Sequence, residues 1–149
     1  MRKPLSGKDT LPAGAHPARG APAPPLVLIV ENHDDTRFML RTVVEMRGVV
    51  SVVEAENGEE ATALAESLCP DLILMDGTLP SLDGFAATRR IRQLACGHNV
   101  PIVLLSGHAQ PASEAKAFAA GCTDYLVKPF AIVELERLLA RHLSRRRRA

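Results

Sequence analysis

Glu31 and Asn32 follow the apolar run LVLIV, Asp76 closes DLILMD, Ser106 closes PIVLLS, and Lys128 follows DYLV immediately before Pro129. Two carboxylates and an amide offer oxygen donors that suit a hard divalent cation, Mg²⁺ first among them. A hydroxyl and an ammonium suit the oxygens of an anion. Set against each other across one carboxylate, the two groups describe a phosphoryl-transfer site, where catalysis is mainly positioning and neutralisation of charge. Each residue alone has a plainer reading, because an Asp after a strand is usually a cap or turn residue and a Lys-Pro is usually just a turn. Four run ends, each carrying a compatible group in a workable order, turn the set toward chemistry.

That chemistry requires the runs to lie side by side. LVLIV (26–30), VVSVVEA (49–55), DLILM (71–75), PIVLL (101–105) and DYLV (124–127) read as buried strands. Helical segments alternate with them. In DDTRFMLRTVVEMRG, Phe38, Met39, Thr42, Val43 and Met46 recur at three and four, with acids at the start and Gly48 as the stop. NGEEATALAESL opens with Asn57 as an N-cap and Glu60 three positions on, a capping-box spacing. GFAATRRIRQL, SEAKAFAAG and IVELERLLARHL complete the set. Five β/α units predict an α/β fold with a parallel sheet, right-handed crossovers and helices on both faces, binding its ligands beyond the carboxyl ends of the strands.

The chain is 46% hydrophobic but only 3% aromatic, without Trp, so its core is aliphatic. Residues 1–25 are rich in Pro, Ala and Gly and read as a flexible tail, residues 26–143 as the folded domain, and residues 144–149 as a basic tail. The two tails sum to +7 and the body to −6. The Arg145–Arg148 run reads as solvated rather than as a nucleic-acid contact, since no aromatic residues interleave with it. Cys69, Cys96 and Cys122 form neither a CxxC pair nor a cluster with His and read as reduced, buried fillers. The basic N-terminus has no apolar segment behind it and no run approaches about 18 apolar residues, so a soluble, cytoplasmic protein without a membrane segment is expected.

The turns VENHDDTR, MDGTLPSLDG, VPIVLLSGHA and AGCTDYLVKPF together resemble the receiver domain of bacterial two-component response regulators, from about Leu26 to Leu143. The resemblance implies a flavodoxin-like (βα)5 doubly wound sheet of strand order 2-1-3-4-5 with a cis Lys128–Pro129 bond. It implies that Asp76 is the phosphoacceptor, that Glu31 and Asn32 occupy the acidic-pair positions, and that Thr78 lends its backbone carbonyl to Mg²⁺. Ser106 becomes the switch hydroxyl, Tyr125 the switch aromatic and Lys128 the phosphate-binding ammonium. The partners implied are a histidine kinase or histidine phosphotransfer protein upstream and an unidentified protein downstream that reads the face around Tyr125 and the last helix. A homodimer is left open. SRRRRA, after Leu143, is too short for a DNA-binding or enzymatic output module, so the expectation is a signalling module, not an enzyme, either stand-alone or a piece of a longer chain.

One residue departs from the family pattern. Asn32 stands where receivers usually carry a carboxylate, and exchanging an anion for an amide beside a dication removes several kcal/mol of gross attraction at an effective dielectric of about 20. A phosphate-independent protein-binding module of the same fold therefore stays open as a second reading. His33 reads as a solvent-facing loop residue and His108 as a neighbour of Ser106 able to screen water. DGTL at 76–79 also resembles the second half of the aspartate pair of haloacid-dehalogenase-like phosphatases, but the position of the nucleophile, two residues earlier, holds Leu74. Incubation with p-nitrophenyl phosphate is expected to give no turnover, and sustained release of nitrophenol would restore the phosphatase reading.

Overall fold

The computed structural model describes residues 23–147, so residues 1–22 of the expected N-terminal tail and residues 148 and 149 lie outside it. Five strands, β1 (Leu26–Val30), β2 (Ser51–Ala55), β3 (Leu72–Asp76), β4 (Ile102–Ser106) and β5 (Asp124–Val127), form one parallel sheet in the order β2-β1-β3-β4-β5. Between and after them run α1 (Asp34–Glu45), α2 (Gly58–Leu68), α3 (Gly84–Arg92), a 3-10 turn (Ala95–Gly97), α4 (Pro111–Ala120) and α5 (Ile132–Arg147). The fold class and strand order match the expectation.

Alternation along the strands divides the core into two layers. Leu28, Val30, Ile73, Met75, Ile102 and Leu104 meet Ala61, Ala65, Ala87, Ile91 and Ala117 of α2, α3 and α4. Val27, Ile29, Leu72, Leu74, Val103 and Leu105 meet Leu40, Val43 and Val44 of α1 and Leu135, Leu139 and Leu143 of α5. Slipping a strand by one residue would exchange its two sets of side chains, so the differently shaped layers fix the register. The pairings Val30 with Met75, Asp76 with Leu105 and Ser106 with Val127 bring the strand ends to one rim. Leu74 is fully buried in the α1/α5 layer, away from any phosphate ester.

The buried stripe of α1 differs from the one expected. Phe38 and Met46 are 73% and 71% exposed, whereas Arg37, Leu40, Val43 and Val44 face the sheet. Spacing by residue type overlooked a buried arginine. Arg37 holds the inward position because Nε donates to Glu54 at 3.1 Å, Nη1 donates to the Glu31 carbonyl at 2.8 Å and Nη2 pairs with Asp34. A guanidinium so paired can be buried where a solitary one could not. The N-cap of α2 is as read, with Asn57 Oδ1 accepting from the Glu60 N–H at 2.8 Å. β2 starts two residues later than expected, leaving Val49 82% exposed, and the α5 backbone continues past Leu143 to Arg147.

The reading of the cysteines needs correction. Cys122 is buried and free, but Cys69 and Cys96 are exposed and joined in a disulfide with Cα atoms 5.6 Å apart. Their separation of 27 residues concealed the pair, because α2 and α3 pack together and bring the end of α2 against the turn after α3. The cysteines therefore do not support a reducing environment. Closing a loop of this length restricts the unfolded chain by up to about 3.5 kcal/mol. A reductant is expected to lower the melting temperature by several degrees, and the Cys69→Ser/Cys96→Ser double variant should melt with the reduced protein. Equal melting with and without reductant would show that the link does not form.

Candidate phosphoryl-transfer site

Glu31, immediately after β1, is fully buried, and its two carboxylate oxygens have different partners. Oε1 takes the Lys128 ammonium at 3.0 Å. Oε2 takes both the backbone N–H of His33 and its ring Nδ1, each at 3.1 Å. Asp76, at the end of β3, is 3% exposed, and its Oδ1 accepts from the Thr78 N–H at 3.1 Å and lies 3.3 Å from Lys128 Nζ. One ammonium thus bridges two buried carboxylates that come from adjacent strands. The peptide bond after Lys128 is cis, as expected.

The turn after β3 is held close to Asp76. Gly77 N–H donates to Leu105 O at 2.8 Å and Gly84 N–H to Gly77 O at 3.1 Å. A Cβ on Gly84 would stand 2.2 Å from the Asp76 carbonyl oxygen, so only glycine lets α3 begin here. On the other side, Ser106 is 1% exposed and its Oγ accepts from the His108 N–H at 3.1 Å, while the Tyr125 hydroxyl donates to the His108 carbonyl at 2.6 Å. Ser106 and Tyr125 therefore meet through His108. An open cleft of about 340 Å³ beside the turn after β3 is lined by Thr78, Leu79, Phe85, His108, Ser113 and Lys116.

Of the residues singled out in the sequence, Glu31, Asp76 and Lys128 are in direct contact, and Thr78 joins them through its N–H. Asn32 Oδ1 is buried and has no hydrogen-bond partner among the described residues. His33 faces solvent as expected, its ring 72% exposed, and its Nδ1 also reaches Glu31 Oε2. Donor atoms of Glu31, His33 and Asp76 lie within 4.8 Å of one another, close enough to share one ion. Arg37 was missed altogether, and the signal that could have found it is a basic residue at the inward phase of an amphipathic helix.

The sequence model of the response regulator receiver domain matches residues 27–140. The chain belongs to the response regulator receiver family. This receiver is 35% identical over 104 residues to the chemotaxis protein CheY of Bacillus subtilis, an alignment covering 70% of this chain and 85% of that one. It is 40% identical over 119 residues to the KDP operon transcriptional regulatory protein KdpE of Escherichia coli, covering 80% of this chain. The receiver spans about half the length of KdpE and a quarter of AtoC, another E. coli relative. Among solved structures it is similar to the receiver domain of the sensor histidine kinase PA1611 from Pseudomonas aeruginosa, which carries a magnesium ion in its active-site cleft. That similarity has a TM-score of 0.75 at 36% identity and covers 82% of this chain and 99% of that one. No helix among the described residues is long and apolar enough to cross a membrane.

The two carboxylates of the receiver differ in acidity. Burial pushes Glu31 up, but the His33 N–H and the Lys128 ammonium together outweigh it and hold Glu31 below the usual carboxylate range. Burial also raises Asp76, and the neighbouring Glu31 charge adds to it, so that Thr78 and Lys128 do not bring it back down. A carboxyl lifted in the folded state gives stability that is present at low pH and lost as pH rises through its folded pKa. Asp76→Asn in EDTA is therefore expected to melt higher than the parent at neutral pH, with the gap closing as pH falls to the ordinary aspartate range. An equal or lower melting temperature at neutral pH would show that Lys128 fully compensates the buried charge.

Proposed function

We propose that Asp76 accepts a phosphoryl group from the phosphohistidine of a histidine kinase or phosphotransfer protein and passes the signal on by protein contacts in the cytoplasm. The observation that carries this reading is the buried Asp76 carboxylate at the rim of the sheet, with Lys128 3.3 Å from Oδ1 and the second carboxylate, Glu31, anchoring the same ammonium. An Asp76 oxygen attacks phosphorus, the bond from phosphorus to the donor imidazole nitrogen breaks, and the imidazole leaves as an acyl phosphate forms. Lys128, released in part from Asp76, pairs with the incoming phosphoryl oxygens.

The donor set fits Mg²⁺. Two carboxylates converge on one point, and the buried Asn32 Oδ1 has no hydrogen-bond partner among the described residues and so offers an ion an uncommitted oxygen. When bound, the ion neutralises charge on the phosphoryl oxygens. Glu31, Asn32 and Asp76 would hold it, with the Thr78 carbonyl as a further donor.

Phosphorylation adds up to about two negative charges at the rim. Ser106 turns its hydroxyl toward a phosphoryl oxygen and withdraws the acceptor from the His108 N–H. The turn that holds the Tyr125 hydroxyl then loses one of its ties, and the α4–β5–α5 face that partners read changes with it. The activity is that of a signalling module and not of an enzyme with turnover.

Radiolabelled acetyl phosphate with Mg²⁺ is expected to label the protein in a hydroxylamine-labile form. Asp76→Asn should take up no label and Lys128→Ala should be labelled roughly 100-fold more slowly. Label persisting on Asp76→Asn would overturn the assignment. No label on the parent from acetyl phosphate or a phosphohistidine donor would favour the phosphate-independent binding module.

A further inference from the structure

We propose that His33 is a metal ligand in this receiver and that, together with Asn32, it shifts the site's preference from Mg²⁺ toward Mn²⁺ and other first-row ions that accept nitrogen. This rests on the phosphoacceptor reading above and specifies which ion that site takes.

Three features point the same way. First, the turn itself brings the imidazole in. The backbone N–H of His33 is tied to Glu31 Oε2 at 3.1 Å, and Nδ1 reaches the same oxygen at 3.1 Å. Two donors on neighbouring corners of an octahedral ion, each about 2.1 Å from it, stand about 3 Å apart. Nδ1 and Oε2 already have that spacing, and Asp76 supplies a third donor within 4.8 Å of both. Secondly, the ring is free to change tautomer. It is 72% exposed, so moving its proton to Nε2 frees the Nδ1 lone pair and leaves the N–H to water. The remaining oxygen of Glu31 is occupied by Lys128, so the charge of Glu31 is oriented without blocking the His33 side.

Thirdly, the chain is short of anionic oxygen here. Asn32 contributes a neutral amide whose Oδ1 is buried and unpartnered, leaving two carboxylates to face the ion. Mg²⁺ draws most of its binding from charge and hard oxygen and gains little from imidazole. Ions along the series from Mn²⁺ to Zn²⁺ gain directly from an imidazole nitrogen. Losing an anion and gaining a nitrogen therefore penalises Mg²⁺ more than Mn²⁺.

The test is calorimetric titration of the metal-free protein with MgCl2 and with MnCl2, together with pulsed electron paramagnetic resonance of the Mn²⁺ form. The parent should bind Mn²⁺ more tightly and show modulation from a directly bound imidazole nitrogen. His33→Ala should lose that modulation and weaken Mn²⁺ about tenfold while leaving Mg²⁺ within about twofold. Asn32→Asp should tighten Mg²⁺ and narrow the gap between the ions. Since His33 is exposed, its variant should fold, and a melting curve checks this. Absence of nitrogen modulation in the parent, or equal weakening of both ions in His33→Ala, would overturn the proposal. If Asp76 still takes up phosphate in Mg²⁺ in that event, the phosphoacceptor reading stands; if neither ion binds and no phosphate is accepted, both fall.

Discussion

A fully buried glutamate with no cation beside it could not stay ionised, and the arrangement of this rim follows from that constraint. Glu31 meets it by dividing its oxygens between the Lys128 ammonium and the two nitrogens of His33. Because Lys128 is committed to Glu31, it stands within reach of Asp76 without belonging to it wholly. Asp76 is left as the less favourably placed of the two carboxylates, its pKa held above the ordinary aspartate value. In the proposed role, Asp76 gains from an incoming dication and an electrophilic phosphorus. Burial does most to make Asp76 the poorly satisfied member of the pair, and the Glu31 charge adds to it.

The scaffold has to hold these groups without filling the space between them. Arg37 does so from below, with one nitrogen on the Glu31 carbonyl and another on Glu54 of β2, so that the acidic turn is tied both to α1 and to the neighbouring strand. Gly84 does so from the side, since the absence of a Cβ lets the start of α3 lie on the Asp76 carbonyl and draws the turn after β3 tight. The apolar layers then fix the register by which the strand ends arrive together. Packing decides where the charges sit, and the charges decide how they behave.

Much of this was legible in the chain itself. Five apolar runs, each closed by a polar group, gave the sheet and its functional rim, because a parallel strand buried on both faces leaves little choice of sequence. The glycine stops and the Asn57 cap were equally plain. Three things were not. Arg37 hid in the stripe of α1 because hydrophobic periodicity assigns a guanidinium to the outside unless its partners are known. The Cys69–Cys96 pair hid because nothing in a 27-residue separation says that two helix ends meet. His33 faces solvent as read, but its residue type did not show that Nδ1 also reaches the Glu31 carboxylate.

The placement of the disulfide has a mechanical consequence. It lies at the opposite rim of the sheet from Asp76, where α2 ends and β4 is about to begin, and it unites two helices that share one face of the core. A covalent clamp there stiffens the α2–α3 flank as a unit. In the proposed switch, displacement set off at the strand ends is thereby denied one direction of travel. What is left is the flank built on α4, β5 and α5, where the Tyr125 hydroxyl is held by a single bond to the His108 carbonyl. Under that proposal the protein would act as a lever with one arm bolted down, a rearrangement at the fulcrum passing to the other arm.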